Sequence, residues 1–160
     1  MNTLKKKTTS NRKLKSVNIL VIEDNPDQWL LIRKAIEQTF GIVDPVWIPN
    51  EQQALRFLNE CETVGVGLPQ LVLLDLYMPE KEHAWNVLKH IRESTSSIIH
   101  VPVVVFSSSN LAEDIAESYD RGGTSYVIKP MEMEAWLEYF QTLKEYWWEI
   151  STLPETRPLY

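Results

Sequence analysis

Three apolar runs in this 160-residue chain end on reactive polar residues: Ile19-Leu20-Val21-Ile22 on Glu23-Asp24, Leu71-Val72-Leu73-Leu74 on Asp75, and Val103-Val104-Val105-Phe106 on Ser107. A fourth, Tyr126-Val127-Ile128, ends on a cation, Lys129, followed by Pro130. Short runs rich in Val, Ile and Leu read as strands buried on both faces, as in a parallel sheet covered by helices. In open doubly wound sheets the ligand crevice lies outside the carboxyl ends of the strands. Glu23, Asp24, Asp75, Ser107 and Lys129 are therefore expected to converge there.

The intervening segments carry helical periodicity. The first strand is expected over 18–22, followed by a helix opening near Pro26-Asp27 with Trp29, Leu30, Ile32, Ile36 and Phe40 on its apolar face; proline at an early helical position forgoes an N–H that has no helical partner. A weaker strand at 46–48 leads to a helix over about 51–60, with Ala54, Leu55 and Leu58 inward. Strands at 71–74, 103–106 and 126–128 alternate with helices at about 84–92 and 111–120, and a last helix follows Pro130. Gly122-Gly123 is placed to close the fourth helix. Regular alternation of this kind predicts an α/β fold with right-handed crossovers.

Composition narrows the class. With 44% hydrophobic residues the chain supports one domain with a sizeable core, so any output is expected to reside on that domain. The only cysteine, Cys61, excludes an internal disulfide and a cysteine-rich zinc site. No apolar stretch nears the roughly 20 residues that span a bilayer, and the N-terminus lacks the apolar core of a signal peptide, so a cytoplasmic protein is expected. The net charge of −6 conceals an asymmetry: Lys5, Lys6, Lys7, Arg12, Lys13 and Lys15 fall in a segment without acids, read as a basic disordered tail over 1–16. The remainder is acidic, which argues against a nucleic-acid-binding face.

Taken singly, each polar residue has a structural explanation: Asp75 as a turn or cap residue, Ser107 to Ser109 as a capping loop, Lys129 as surface charge. Together they fit one chemistry. Crowded carboxylates raise one another's proton affinity, and a divalent cation relieves this; magnesium prefers oxygen ligands, which makes Glu23, Asp24 and Asp75 a candidate site. An aspartate can accept a phosphoryl group, helped mainly by positioning and by cations that neutralise the phosphoryl oxygens. Trp29, Trp47, Trp85 and Trp136 are read as packing residues or exposed anchors.

The chain resembles the receiver domains of two-component response regulators over roughly residues 17–150. The resemblance rests on Glu23-Asp24-Asn25, Asp75-Leu76-Tyr77-Met78-Pro79, Ser107-Ser108 and Lys129-Pro130, in order and at compatible spacing. It implies a flavodoxin-like doubly wound five-stranded parallel sheet of order 2-1-3-4-5 flanked by five helices. It also implies magnesium held directly by Asp24, Asp75 and the Tyr77 carbonyl, with Glu23 acting through water. Asp75 would be the phosphoacceptor, assisted by Lys129, with Ser107 bonding the phosphoryl oxygens. Tyr126, expected on the opposite face of its strand from Lys129, would turn inward with Ser107 as the switch.

Two departures stand out. Where relatives carry a short turn with an Asp-Gly pair, this chain reads Glu80-Lys81-Glu82-His83-Ala84; His83 is read as a solvated loop residue, with an approach to the site as the alternative. Tyr77 is bulky for its place and is expected to alter the lifetime of a phosphoryl group. Near the C-terminus, Trp136, Tyr139, Phe140, Leu143, Tyr146, Trp147 and Trp148 exceed one buried stripe, pointing either to a partner interface or to cover for the sheet edge. The ending is similar to that of stand-alone response regulators associated with phytochromes, implying a homodimer through the last helix, with the tail 151–160 as a further contact. The expected function is a single-domain response regulator, not an enzyme on external substrates. Its partner would be a sensor histidine kinase, with a phytochrome type as one option, or a phosphotransfer protein. The alternatives are a degenerate receiver acting as a scaffold and a phosphatase with an Asp nucleophile. The latter is disfavoured because such phosphatases generally place a second acid where Tyr77 stands.

Overall fold

The computed structural model describes residues 19–150 except residues 42 and 66, and only the backbone of residues 148–150. The basic tail at 1–16, the C-terminal tail at 151–160, and residues 17 and 18 at the domain's expected start lie outside the described residues, as does the side chain of Trp148. Five parallel strands form one sheet of order β2-β1-β3-β4-β5. They are β1 (Ile19–Ile22), β2 (Val46–Ile48), β3 (Leu71–Asp75), β4 (Val103–Ser107) and β5 (Ser125–Ile128). The helices are α1 (Pro26–Phe40), α2 (Glu51–Val64), α3 (Lys81–Arg92), α4 (Ala112–Asp120) and α5 (Met133–Lys144), the last continuing as a π-helical stretch over Glu145–Ile150. This is the expected doubly wound, flavodoxin-like arrangement.

The three central strands are buried along their whole length, which explains their continuous apolar runs. Alternation splits them between two cores. Leu20, Ile22, Val72, Leu74, Val103 and Val105 face α2 and α3, whereas Ile19, Val21, Leu71, Leu73, Val104 and Phe106 face α1 and α5. The edge strands differ: β5 is only half-buried and ends on an exposed Ile128, so the reading of a fourth strand buried on both faces is corrected. An edge strand has a neighbour on one side only. Its Tyr126 N–H finds a substitute acceptor in the Tyr119 hydroxyl at 3.3 Å.

Helix boundaries follow local chemistry. Asn25 caps α1 by accepting from the Asp27 and Gln28 N–H groups at 2.9 and 3.3 Å, a contact worth about 1 kcal/mol. Leu30, assigned to the apolar face of α1, is instead 50% exposed, because the buried face is narrower and runs through Trp29, Ile32, Ala35 and Ile36. The second helix runs to Val64 rather than residue 60, ending where Gly65 adopts φ +71° and donates to the Cys61 carbonyl at 2.8 Å. Gly122-Gly123 terminates α4 as expected. The N–H groups of the two glycines reach the Tyr119 and Ser118 carbonyls, and a Cβ on Gly123 would stand 2.8 Å from Ser118 O.

The third helix shows the largest difference. It begins at Lys81, not Ala84, so the charged stretch read as an altered turn is the first turn of a helix. His83 lies in this helix rather than in a solvated loop; its Nδ1 pairs with Glu51 of α2 at 2.6 Å, and that bond raises its proton affinity. Of the C-terminal aromatics, Trp136 and Phe140 are fully buried, and Tyr139 and Trp147 pack against the same core. Most of that aromatic surface therefore covers β4 within one chain. Tyr146, 53% exposed, is the exception among the described side chains.

Candidate functional site

The strand order reverses direction between β1 and β3, and the acidic residues sit at the carboxyl ends of these two strands. Glu23 follows β1 and is buried. Its two oxygens are both engaged, one by the Asn25 N–H at 3.1 Å and one by Lys129 Nζ at 2.7 Å. Asp75 closes β3 and is 6% exposed, with Lys129 Nζ at 3.1 Å. Asp24 is exposed beside them, and carboxylate oxygens of Glu23, Asp24 and Asp75 lie within 4.8 Å of one another.

Lys129 is delivered by β5 from across the sheet. Its backbone N–H donates to the Ser107 carbonyl at 2.8 Å, which fixes where the side chain starts. Burial disfavours its charge, yet the Asp75 and Glu23 carboxylates more than offset that and hold its proton affinity above the ordinary lysine value. Asp75 likewise holds a proton more tightly than an ordinary aspartate. Burial, against the pull of Lys129 and with the push of Glu23, raises it to about 8. One cation is thus insufficient for this set of carboxylates.

Ser107 closes β4 fully buried, with its hydroxyl oxygen accepting from the Ser109 N–H at 3.0 Å. Tyr126 packs against the α2/α3 core, on the opposite side of β5 from Val127, and its hydroxyl donates to the Ser109 carbonyl at 2.7 Å. Tyr77 is partly exposed, and its hydroxyl reaches Asp114 on α4 at 2.6 Å. The Met78-Pro79 peptide bond is cis.

Sequence reasoning missed two supporting residues. Trp47, treated as packing, donates its indole N–H to the Glu23 carbonyl at 2.8 Å and stacks on Trp29 with centroids 5.7 Å apart, bracing the end of β1. Asp114, in the first turn of α4, is a buried carboxylate that received no role. Its signal was present: the inward positions of α4, Asp114 and Ser118, are both polar, where a core-facing helix normally shows an apolar stripe.

A doubly wound sheet with an acidic, lysine-crossed crevice at its switch point is an α/β module built to hold a charged ligand. Comparison with known proteins gives the family: the chain belongs to the response regulator receiver domain family, which matches residues 19–141. The probable methanogenesis regulatory protein FilR2 of Methanothrix harundinacea (strain 6Ac) is 35% identical over 85% of this chain and 88% of its own length. Among solved structures, the phosphorylated cyanobacterial phytochrome response regulator RcpA is 28% identical, with a TM-score of 0.77 over 88% of this chain and 99% of that one. The Mn(2+)-bound form of response regulator Rcp1 is 27% identical, with a TM-score of 0.71 over 87% and 99%. A curated Rcp1, from Synechocystis sp. (strain ATCC 27184 / PCC 6803 / Kazusa), is 26% identical over 85% of this chain and 92% of its own length. The protein is a receiver-domain response regulator homologous to single-domain phytochrome-associated regulators, and the partner of such a domain is a histidine kinase or phosphotransfer protein. No helix among the described residues is long and apolar enough to cross a membrane.

Proposed function

We propose that Asp75 accepts a phosphoryl group from a histidine kinase, and that the change this causes at Ser107 and Tyr126 alters a protein-binding surface. The observation that carries the proposal is the placement of Lys129 Nζ between Glu23 and Asp75, at 2.7 and 3.1 Å. In the transfer a carboxylate oxygen of Asp75 bonds to phosphorus as the bond from phosphorus to the donor breaks, the electron pair leaving with the donor. Lys129 is placed to neutralise the phosphoryl oxygens. Ser107 already turns its hydroxyl oxygen toward the β4–α4 loop, and shifting it to a phosphoryl oxygen would give up the Ser109 N–H and disturb the carbonyl that receives Tyr126. Because β5, α4 and the last helix share that edge, the exposed Tyr119, Ile128 and Tyr146 are the surface in question. We read it as the homodimer contact. The same active-site geometry serves loss of the phosphoryl group to water, so the catalysis is confined to the protein's own carboxylate. The net charge of −6 disfavours a nucleic-acid target, and we place the transfer in the cytoplasm.

The residues fit a divalent cation. Glu23 has both oxygens occupied, so Asp24 and Asp75 would be direct ligands for magnesium and Glu23 an outer partner, with the Tyr77 carbonyl added by likeness to receiver domains. When bound, magnesium supplies the second positive charge that the carboxylates lack. Intact mass after incubation with a small phosphoryl donor is expected to rise by one phosphoryl group with magnesium and not with chelator. No gain from either a small donor or a histidine kinase would replace this reading with a phosphorylation-independent scaffold. Magnesium alone, at about ten times its dissociation constant, is expected to raise Tm by about 5 °C at pH 8.5. The rise should be smaller at pH 6, where a proton holds Asp75. Thermal scans at the two pH values check this, and an equal rise at both would count against Asp75 as a ligand.

A further inference from the structure

The fourth helix is seated in an unusual way. None of the residues it buries is apolar: Asp114 and Ser118 face inward, Ile115 is only half-buried, and Leu111 and Tyr119 are exposed. Apolar burial therefore contributes little to its position. At its amino end the side-chain attachments converge on one carboxylate. Asp114 Oδ2 accepts from the Tyr77 and Ser109 hydroxyls, both at 2.6 Å, and Oδ1 accepts from Lys81 Nζ at 2.9 Å. Lys81 opens α3 and also lies 3.6 Å from Glu117, and the Ser109 carbonyl holds Tyr126. Although burial opposes the charge, these donors lower Asp114 to about 2, so it is ionised throughout the physiological range.

The two hydroxyls gathered by Asp114 come from the loops that flank Asp75 on its β4 side. Tyr77 lies two residues beyond Asp75, and Ser109 two beyond Ser107. A bond from each to the same carboxylate spans the gap between the β3–α3 and β4–α4 loops, opposite the side occupied by Glu23 and Asp24.

We propose that Asp114 is a positioning residue for the phosphoryl state: by drawing Tyr77 and Ser109 together it closes the β4 side of the crevice and slows water's attack on the phosphorus atom. The inference rests on Asp75 being the phosphoacceptor. In the reaction it retards, a water oxygen bonds to phosphorus while the bond to the Asp75 oxygen breaks. The electron pair returns to the carboxylate and a water proton passes to solvent, leaving inorganic phosphate. Asp114 touches none of these atoms. It acts through the angle at which Tyr77 and Ser109 stand, and it ties that angle to the seat of α4.

The test follows the decay of phosphoryl occupancy by intact mass, after loading the full chain with a small phosphoryl donor and magnesium and then removing the donor. Asp114→Ala and Tyr77→Phe are each expected to shorten the half-life at least fivefold. The double variant should decay no more than twofold faster than the quicker single, since both remove the same tie. Asp114→Asn should stay within twofold of wild type. Its amide oxygen can still accept both hydroxyls, while Lys81, 29% exposed, can turn to Glu117. A merely structural role would not give that rescue. Half-lives within twofold of wild type for both Asp114→Ala and Tyr77→Phe would overturn the proposal, as would effects that multiply in the double variant. If Asp114→Ala does not fold by circular dichroism, Ser109→Ala replaces it with the same expectation. Failure of the wild type to gain a phosphoryl group from donor or kinase is a separate outcome, which removes the phosphoacceptor reading and this one with it.

Discussion

Asp75→Asn is expected to take up no phosphoryl group from a small donor or a kinase, and to melt higher than wild type in metal-free alkaline buffer. The first effect follows from chemistry: an amide oxygen in place of a carboxylate oxygen does not form the acyl phosphate. The second follows from linkage. Asp75 stands at about 8 in the folded chain against 3.8 for an ordinary aspartate, so the folded state holds a proton that the unfolded state releases. Its contribution to stability is fully present below about pH 4 and is lost as pH rises through about 8. Above that, the native fold must accommodate a charged carboxylate buried beside Glu23. Asparagine carries no such charge, so the gap in Tm should open from near zero at pH 4 to about 5 °C or more at pH 9. Intact mass and a pH series of thermal melts check the two halves separately. A gap that stays constant with pH would show that Asp75 is not the group being titrated.

Phe106→Ala should be the most damaging single truncation in the sheet, at about 3–5 kcal/mol. The side chain is 1% exposed and belongs to the core that α1 and α5 cover on one face of the sheet. Its ring stacks on Trp136 at 5.7 Å and on Phe140 at 6.1 Å, and meets the Tyr139 ring edge-on at 5.1 Å. Removing it leaves a void lined by aromatic rings that cannot all collapse inward, and it loosens the strand that carries Ser107. Leu30→Ala provides the contrast. Although drawn from the same kind of apolar pattern, Leu30 is half exposed, and its truncation should cost about 0.5 kcal/mol or less. Urea denaturation of the two variants against wild type measures both; comparable losses would mean that the face of α1 carrying Leu30 is packed after all.

The legible parts of this fold are those in which one physical cause dominates. The central strands are buried on both faces, so no polar residue interrupts them until their ends, and there the polar residue marks the crevice. Convergence of Glu23, Asp24, Asp75, Ser107 and Lys129 follows from parallel topology once the strands are recognised. The first turn of α3 escaped because Glu80-Lys81-Glu82-His83 has no apolar periodicity of its own. It is held as helix by cross-helix pairs, His83 to Glu51 on one side and Lys81 to Asp114 on the other. Asp114 escaped for the related reason that two of its three partners lie far off in sequence, Tyr77 and Lys81 being more than thirty residues away. Leu30 and the C-terminal aromatics show the limit of counting hydrophobic residues, since spacing identifies a stripe but not its width or what covers it.

Arg92, at the foot of the sheet, gives the design a mechanical reading. Its guanidinium donates to the carbonyls of Ile99, Val101 and Gly122 at 2.8 to 2.9 Å, and Gly122 lies two residues beyond the end of α4. The carboxyl end of that helix is therefore pinned to the base of the molecule, while its amino end is secured through Asp114. If the upper tie loosens and the lower one holds, α4 can move only as a lever pivoting at Gly122. A nine-residue helix is about 13 Å long, so a swing of roughly 10° would carry its free end about 2 Å. A sub-ångström adjustment at the crevice would thus emerge on the surface as a displacement large enough for a binding partner to feel.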